Sequence, residues 1–212
     1  MKGDVILVEE HHRKAAEEIA EALTEKIKAA GRIFTLTVAG ESGSGKSETA
    51  QALKESFEKR GMNTLILQQD DYFIRPPKTN DALRRRMIGT VGTEEVKLKL
   101  LNAHLIQAKK GDPVIIKPLI LYAEDKQTNE DVSCEGLSVV IAEGTYTTLC
   151  DEADCHIFIA RDYHETLPAR KRRAREAFDP FIEQVLEIEH GIIAEHREKA
   201  DIVITNDYNV VF

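Results

Sequence analysis

The chain has 212 residues, 42% apolar and 31% charged, with a formal net charge of −8. That length supports a sizeable core, while the excess of acid argues against general nucleic-acid binding, which needs a basic surface. Cys134, Cys150 and Cys155 lack metal-ligand spacing, no apolar run approaches a membrane span, and Met1 to Asp4 lead into charged sequence, so a cytoplasmic protein with reduced thiols is expected.

In chain order, Val5 to Val8 read as a short strand. From Glu9 to Ala30, the residues Ala16, Ile19, Ala20, Leu23 and Ile27 recur at helical spacing, and Gly31 stops the helix. Ile33 to Ala39 reads as a buried strand. It runs into Gly40-Glu41-Ser42-Gly43-Ser44-Gly45-Lys46-Ser47, which matches G-x-x-x-x-G-K-[ST], the phosphate-binding P-loop. Glycines let the backbone turn where a Cβ would clash, so successive N–H groups can point inward around a polyphosphate such as that of ATP. Lys46 would reach the β- and γ-phosphates and the Ser47 hydroxyl would bind Mg²⁺. Glu48 opens a helix to Lys59, whose positive end faces the phosphates.

Thr64 to Gln68 reads as the second strand and leads into Gln69-Asp70-Asp71-Tyr72-Phe73. Pro76-Pro77 predict a loop from Arg75 to Asn80. Ala82 to Ile88 carries Arg84, Arg85 and Arg86, which would either bind an anionic acceptor or form the polar face of a short helix. Thr93 is placed to cap a helix from Glu94 to Lys110. Val114 to Ile116 predicts a strand paired with Leu119 to Tyr122, followed by a polar loop from Ala123 to Cys134. Leu137 to Ala142 is a buried strand ending in Glu143-Gly144, and His156 to Ile159 is the next. Tyr163 to Glu176 predicts a basic helix or lid, spanning about 163–178. Phe181 to Ala200 reads as one long helix with His190 and His196 on its outside, and Ile202 to Ile204 as the last strand.

Strands alternating with helices predict an α/β fold: three layers, a mostly parallel sheet flanked by helices, and a small lid. A single domain, 1–212, is expected, with an N-terminal helical extension over about 9–30. Ligands bind such sheets at the carboxyl ends of the strands, where Gly40, Asp70, Glu143 and Arg161 all fall. A carboxylate at Asp70 can orient an acceptor hydroxyl and take its proton during phosphoryl transfer. Asp71 and Tyr72 stand beside it as acceptor contacts. Glu143 ends an apolar strand and needs a cation or donors, which Mg²⁺ or the acceptor would supply. Arg170 and Arg173, spaced i, i+3, would share a face and neutralise charge on the transferred group.

Three stretches resemble the uridine kinase/phosphoribulokinase family: Ala39 to Ser47, Gln69 to Phe73, and Ile141 to Tyr146. The second is also similar to the nicotinamide riboside kinases. The resemblance implies that Asp70 is the catalytic base, that Glu143 helps hold Mg²⁺ and the acceptor, and that Arg170 and Arg173 are the lid arginines. It implies an ATP- and Mg²⁺-dependent kinase of a small, nucleoside-like metabolite and admits a homo-oligomer, while the net charge and the short apolar runs argue against nucleic-acid and membrane partners. The hairpin from Lys117 to Asp125 departs from the uridine-cytidine kinases, lacking the aspartate and histidine with which they read pyrimidine and ribose. The alternatives are therefore a non-nucleoside or anionic acceptor, such as pantothenate, glycerate or a sugar phosphate, or a nucleotide-dependent switch.

Overall fold

A computed structural model describes residues 6–167 and 179–212 of the chain. Arg170, Arg173 and the rest of the expected lid over 168–178 lie outside the described residues. The described strands are β1 (Phe34–Gly40), β2 (Thr64–Gln68), β3 (Val114–Leu121), β4 (Lys126–Ser133), β5 (Val139–Glu143), β6 (Cys155–Ile159), β7 (Ile202–Ile204) and β8 (Val210–Val211). The helices are α1 (Glu10–Ala29), α2 (Lys46–Lys59), α3 (Pro77–Arg86), α4 (Leu98–Lys110) and α5 (Pro180–Ile193).

The main sheet runs β2-β5-β1-β6-β7-β8, parallel throughout except for the final β7–β8 pair. Its central strand, β1, is buried along its whole length, as a parallel strand covered on both faces must be. One apolar core lies between the sheet, α1 and α2, with Ile19, Leu36, Leu53 and Phe57 fully enclosed. A second lies on the opposite face with α4, the β3–β4 hairpin and the end of α5. Full burial of each such side chain contributes about 1.5–3 kcal/mol. The α/β fold with helices on both faces agrees with the sequence reading. Among the described residues no helix is long and apolar enough to cross a membrane.

Several element boundaries differ from expectation, each for a local reason. Val5 lies outside the described residues, and Ile6 to Val8 form no strand. Val8 instead packs against the first core just before α1. Pro76-Pro77 do not open a loop: Pro77 occupies the first turn of α3, where its missing N–H costs nothing. The helix expected from Glu94 starts later, at Leu98, because Thr93–Glu95 form a 3-10 turn and Val96 bridges to Phe73. Lys117-Pro118 does not break the next strand, since β3 belongs to an isolated two-stranded ribbon that tolerates proline. Its partner is β4, the polar stretch read as a loop. Polar residues are stable in a strand open to solvent, and β4 has only exposed and half-buried positions. The expected long helix stops at Ile193 and continues as a 3-10 turn to Lys199, which turns His196 into the interior.

Candidate active site

The carboxyl ends of β1, β2 and β5 bring the predicted residues together. Gly40 ends β1, the 3-10 turn Gln69–Tyr72 follows β2, and Glu143 ends β5, with Val38 and Gln68 both in register with Glu143. Gly45 precedes α2 with φ 97, a left-handed conformation that suits glycine. Lys46 donates to the Glu41 carbonyl at 2.8 Å, closing the loop upon itself. Glu48 is buried in the first turn of α2.

Ser47 Oγ donates to Glu143 Oε1 at 3.2 Å. Burial, then the charge of Asp70, pushes the Glu143 carboxyl up to about 7. Asp70 is open to solvent on one side, yet enough protein surrounds it that desolvation raises its pKa, against the opposing pull of Lys46. A hydroxyl and two destabilised carboxylates form a hard oxygen set that fits Mg²⁺. Gly144 lets β5 pass close to β2: a Cβ there would strike the Gln69 side chain. Gln69 in turn accepts from Tyr146 N at 2.7 Å, which fixes the backbone next to Asp70.

Three predicted acceptor contacts are placed differently. Tyr72 is fully buried and bonded to His104 Nδ1 at 2.8 Å, so its ring supports the second core and does not face an acceptor. Asp71 turns inward from Asp70. Its carboxylate accepts from Lys117 Nζ at 2.8 Å and from Ile120 N at 3.0 Å, pinning the hairpin to the end of β2. Arg84 donates through Nε and Nη2 to Glu95 at 2.8 and 2.7 Å, and reaches Glu189 at 3.2 Å. These carboxylates hold its pKa raised against desolvation. Arg84 is thus spoken for by two carboxylates rather than open to an anion.

Glu41 does more than the motif implies. Buried, it accepts the Tyr163 N–H at 2.8 Å and pairs with His190 Nδ1 at 2.7 Å, while the Ser42 carbonyl accepts from Thr166 Oγ1 at 2.9 Å. His190 therefore faces the loop, contrary to the outward position expected of it. Glu189, which no motif singles out, lies near Arg84 and Lys46, and desolvation raises its pKa. It lies among Glu183, Glu187 and His190 on the same helix, so no local pattern marks it out.

The model of the phosphoribulokinase/uridine kinase family matches residues 35–166, more than half of the chain. The chain belongs to that family. The bifunctional alpha-galactosidase/sucrose kinase AgaSK of Mediterraneibacter gnavus is 30% identical over 89% of this chain, which spans 23% of that longer relative. A uridine kinase of Shewanella piezotolerans is 25% identical over 80% of the chain and 85% of the relative. Among solved structures, a D-glycerate 3-kinase from Cryptococcus neoformans superposes with a TM-score of 0.63 at 15% identity, covering 93% of this chain and 97% of that one. At that identity the likeness speaks for the fold. Family and fold together make this member an ATP-dependent phosphotransferase with a nucleotide-binding P-loop.

Proposed function

We propose that this kinase transfers the γ-phosphoryl group of ATP to a hydroxyl of a neutral, polyhydroxylated small molecule, a sugar ahead of a nucleoside. One observation carries the choice. Among the described residues, Asp71 and Glu143 place negative charge beside Asp70, Lys46 is given over to the nucleotide, and the nearby Arg84 is already neutralised by Glu95 and Glu189. Carboxylates accept hydrogen bonds from hydroxyls and repel anions, which disfavours glycerate or a sugar phosphate. The Tyr146 hydroxyl, buried without a hydrogen-bond partner near Arg84 and Glu189, adds another polar group on that side. The similarity to a sucrose kinase and the missing base-reading residues of the hairpin support a sugar.

In this reading the loop N–H groups and Lys46 hold the triphosphate. Asp70 orients the acceptor hydroxyl and takes its proton. Ser47 and Glu143 would hold Mg²⁺, whose bound charge offsets that on the phosphates. Arg170 and Arg173 are assigned to the transferred group. The uridine kinases among the relatives support a second reading, a nucleoside acceptor.

The test is ADP release from MgATP with sucrose, fructose, uridine, cytidine and glycerate as acceptors. A neutral sugar is expected to accelerate release. Asp70→Asn should reduce that rate by about 10² or more while leaving ATP affinity in place. Acceleration by glycerate alone, or by a nucleoside alone, would overturn the sugar assignment.

A further inference from the structure

The hydroxyl of Tyr208 lies at a junction beneath the nucleotide loop. It donates to the Ser44 carbonyl at 2.9 Å, receives Arg161 Nη1 at 2.9 Å, and sits 3.1 Å from His12 Nε2. A phenol has one proton, and here it goes to Ser44, so His12 must donate from Nε2. Its Nδ1 is then an acceptor, and Glu9 N donates to it at 3.0 Å. Both of these partners are consistent with one tautomer of a neutral imidazole. The same arrangement disposes of a metal reading of Glu9, His11 and His12, whose ligand atoms lie within 4.8 Å of one another, because both His12 nitrogens already have partners.

Two further observations make the junction more than packing. Tyr208 has φ 59, a left-handed conformation that is costly for a bulky side chain and points to a constraint worth keeping. Directly above it, a side chain on Gly45 would collide with Tyr208 Oη and lie 2.9 Å from His12 Nε2. The Ser44 carbonyl and the Gly45 N–H belong to one planar trans peptide, so they point in opposite directions. Holding the carbonyl outward aims the N–H inward.

We propose that Tyr208, oriented by His12 of α1 and by Arg161, is a positioning residue that presets the Ser44–Gly45 peptide for phosphate binding. The N-terminal helix and the C-terminal turn thereby help to shape the nucleotide site. Two donors on its oxygen polarise the Tyr208 hydroxyl and strengthen its bond to Ser44.

The test is calorimetric titration of ADP in the absence of any acceptor, so that it stands apart from the acceptor assignment. Tyr208→Phe keeps the ring and removes the bond. It should weaken nucleotide binding about 5- to 10-fold, with kcat at saturating ATP within about twofold of the unsubstituted enzyme. Tyr208→Asn suits the left-handed backbone but gives up the ring's packing on the first core and against His11, His12 and Arg161, so it should weaken binding at least as much as Tyr208→Phe. His12→Leu should also weaken binding, and adding it to Tyr208→Phe should cost nothing further, because His12 acts through Tyr208. Unchanged affinity in Tyr208→Phe would overturn the proposal. So would a double variant that loses the product of the two single effects.

Discussion

Asp154 shows how one carboxylate can set the start of the central strand. Arg32 grips both its oxygens at 2.8 and 2.7 Å, and Thr35 bonds it through N at 2.9 Å and through Oγ1 at 3.0 Å. Burial alone would raise its pKa, but these donors overcome burial and hold it well below the usual carboxylate range. Folding therefore favours the ionised form. The resulting stability is present above the unfolded-chain pKa, about 4, and is lost as pH falls through the lower folded value. Asp154→Asn should cost roughly 2 kcal/mol near neutrality, by urea unfolding. The gap to the unsubstituted protein should narrow below about pH 4. A gap independent of pH would mean the charge is not what stabilises β1. At this scale the sequence exposed the residues that carry a motif, Lys46, Ser47, Asp70 and Glu143, and the structure brings them to one end of the sheet. It did not expose Asp154, Glu189 or Tyr208, whose partners lie far away along the chain and whose importance comes from tertiary contact.

Between elements, buried polar contacts join what the apolar cores leave separate. The β3–β4 ribbon shares no hydrogen-bonded edge with the main sheet. Lys117 on β3 reaches Asp71 at 2.8 Å, with both side chains almost fully buried. Lys117→Met leaves that carboxylate without its cation, and should cost about 3 kcal/mol or more. Combining it with Asp71→Asn removes the stranded charge and keeps an oxygen for the Ile120 N–H. That should recover part of the loss, although Glu130, which also pairs with Lys117 at 2.8 Å, stays without its cation. If thermal unfolding finds the double variant no better than Lys117→Met, the penalty does not come from the uncompensated charge. Between β5 and β2 the link is steric. Gly144→Ala would displace Gln69 and with it the backbone that carries Asp70. A fall in kcat of about 10-fold or more with ATP affinity retained is the expected result, and unchanged kcat would place the control of Asp70 elsewhere. Element types along the parallel sheet were legible because buried strands read as unbroken apolar runs. The hairpin was not, since every β4 residue but Val132 is polar and only its partner reveals it as a strand.

Across the whole molecule, the nucleotide loop is held from outside as well as from within. Tyr208 and His12 fasten it at Ser44 from the chain ends, while Glu41 fastens it to Tyr163 and to His190 of α5. Residues more than 120 positions apart thus meet on an eight-residue loop, so the loop's conformation depends on the completed fold. That dependence explains why the P-loop motif announced nucleotide binding but could not announce its supports: the motif is local and the supports are not. Glu41→Gln retains an oxygen for the Tyr163 N–H and a polar group for His190, whereas Glu41→Ala abandons both. Glu41→Ala should lower stability by about 1–3 kcal/mol, and saturating ADP should restore part of that loss by binding the folded state. Glu41→Gln should lie close to the unsubstituted protein. Equal destabilisation of the two variants would assign the effect to the negative charge itself. Matching thermal unfolding curves for all three proteins would mean that the loop is held without Glu41.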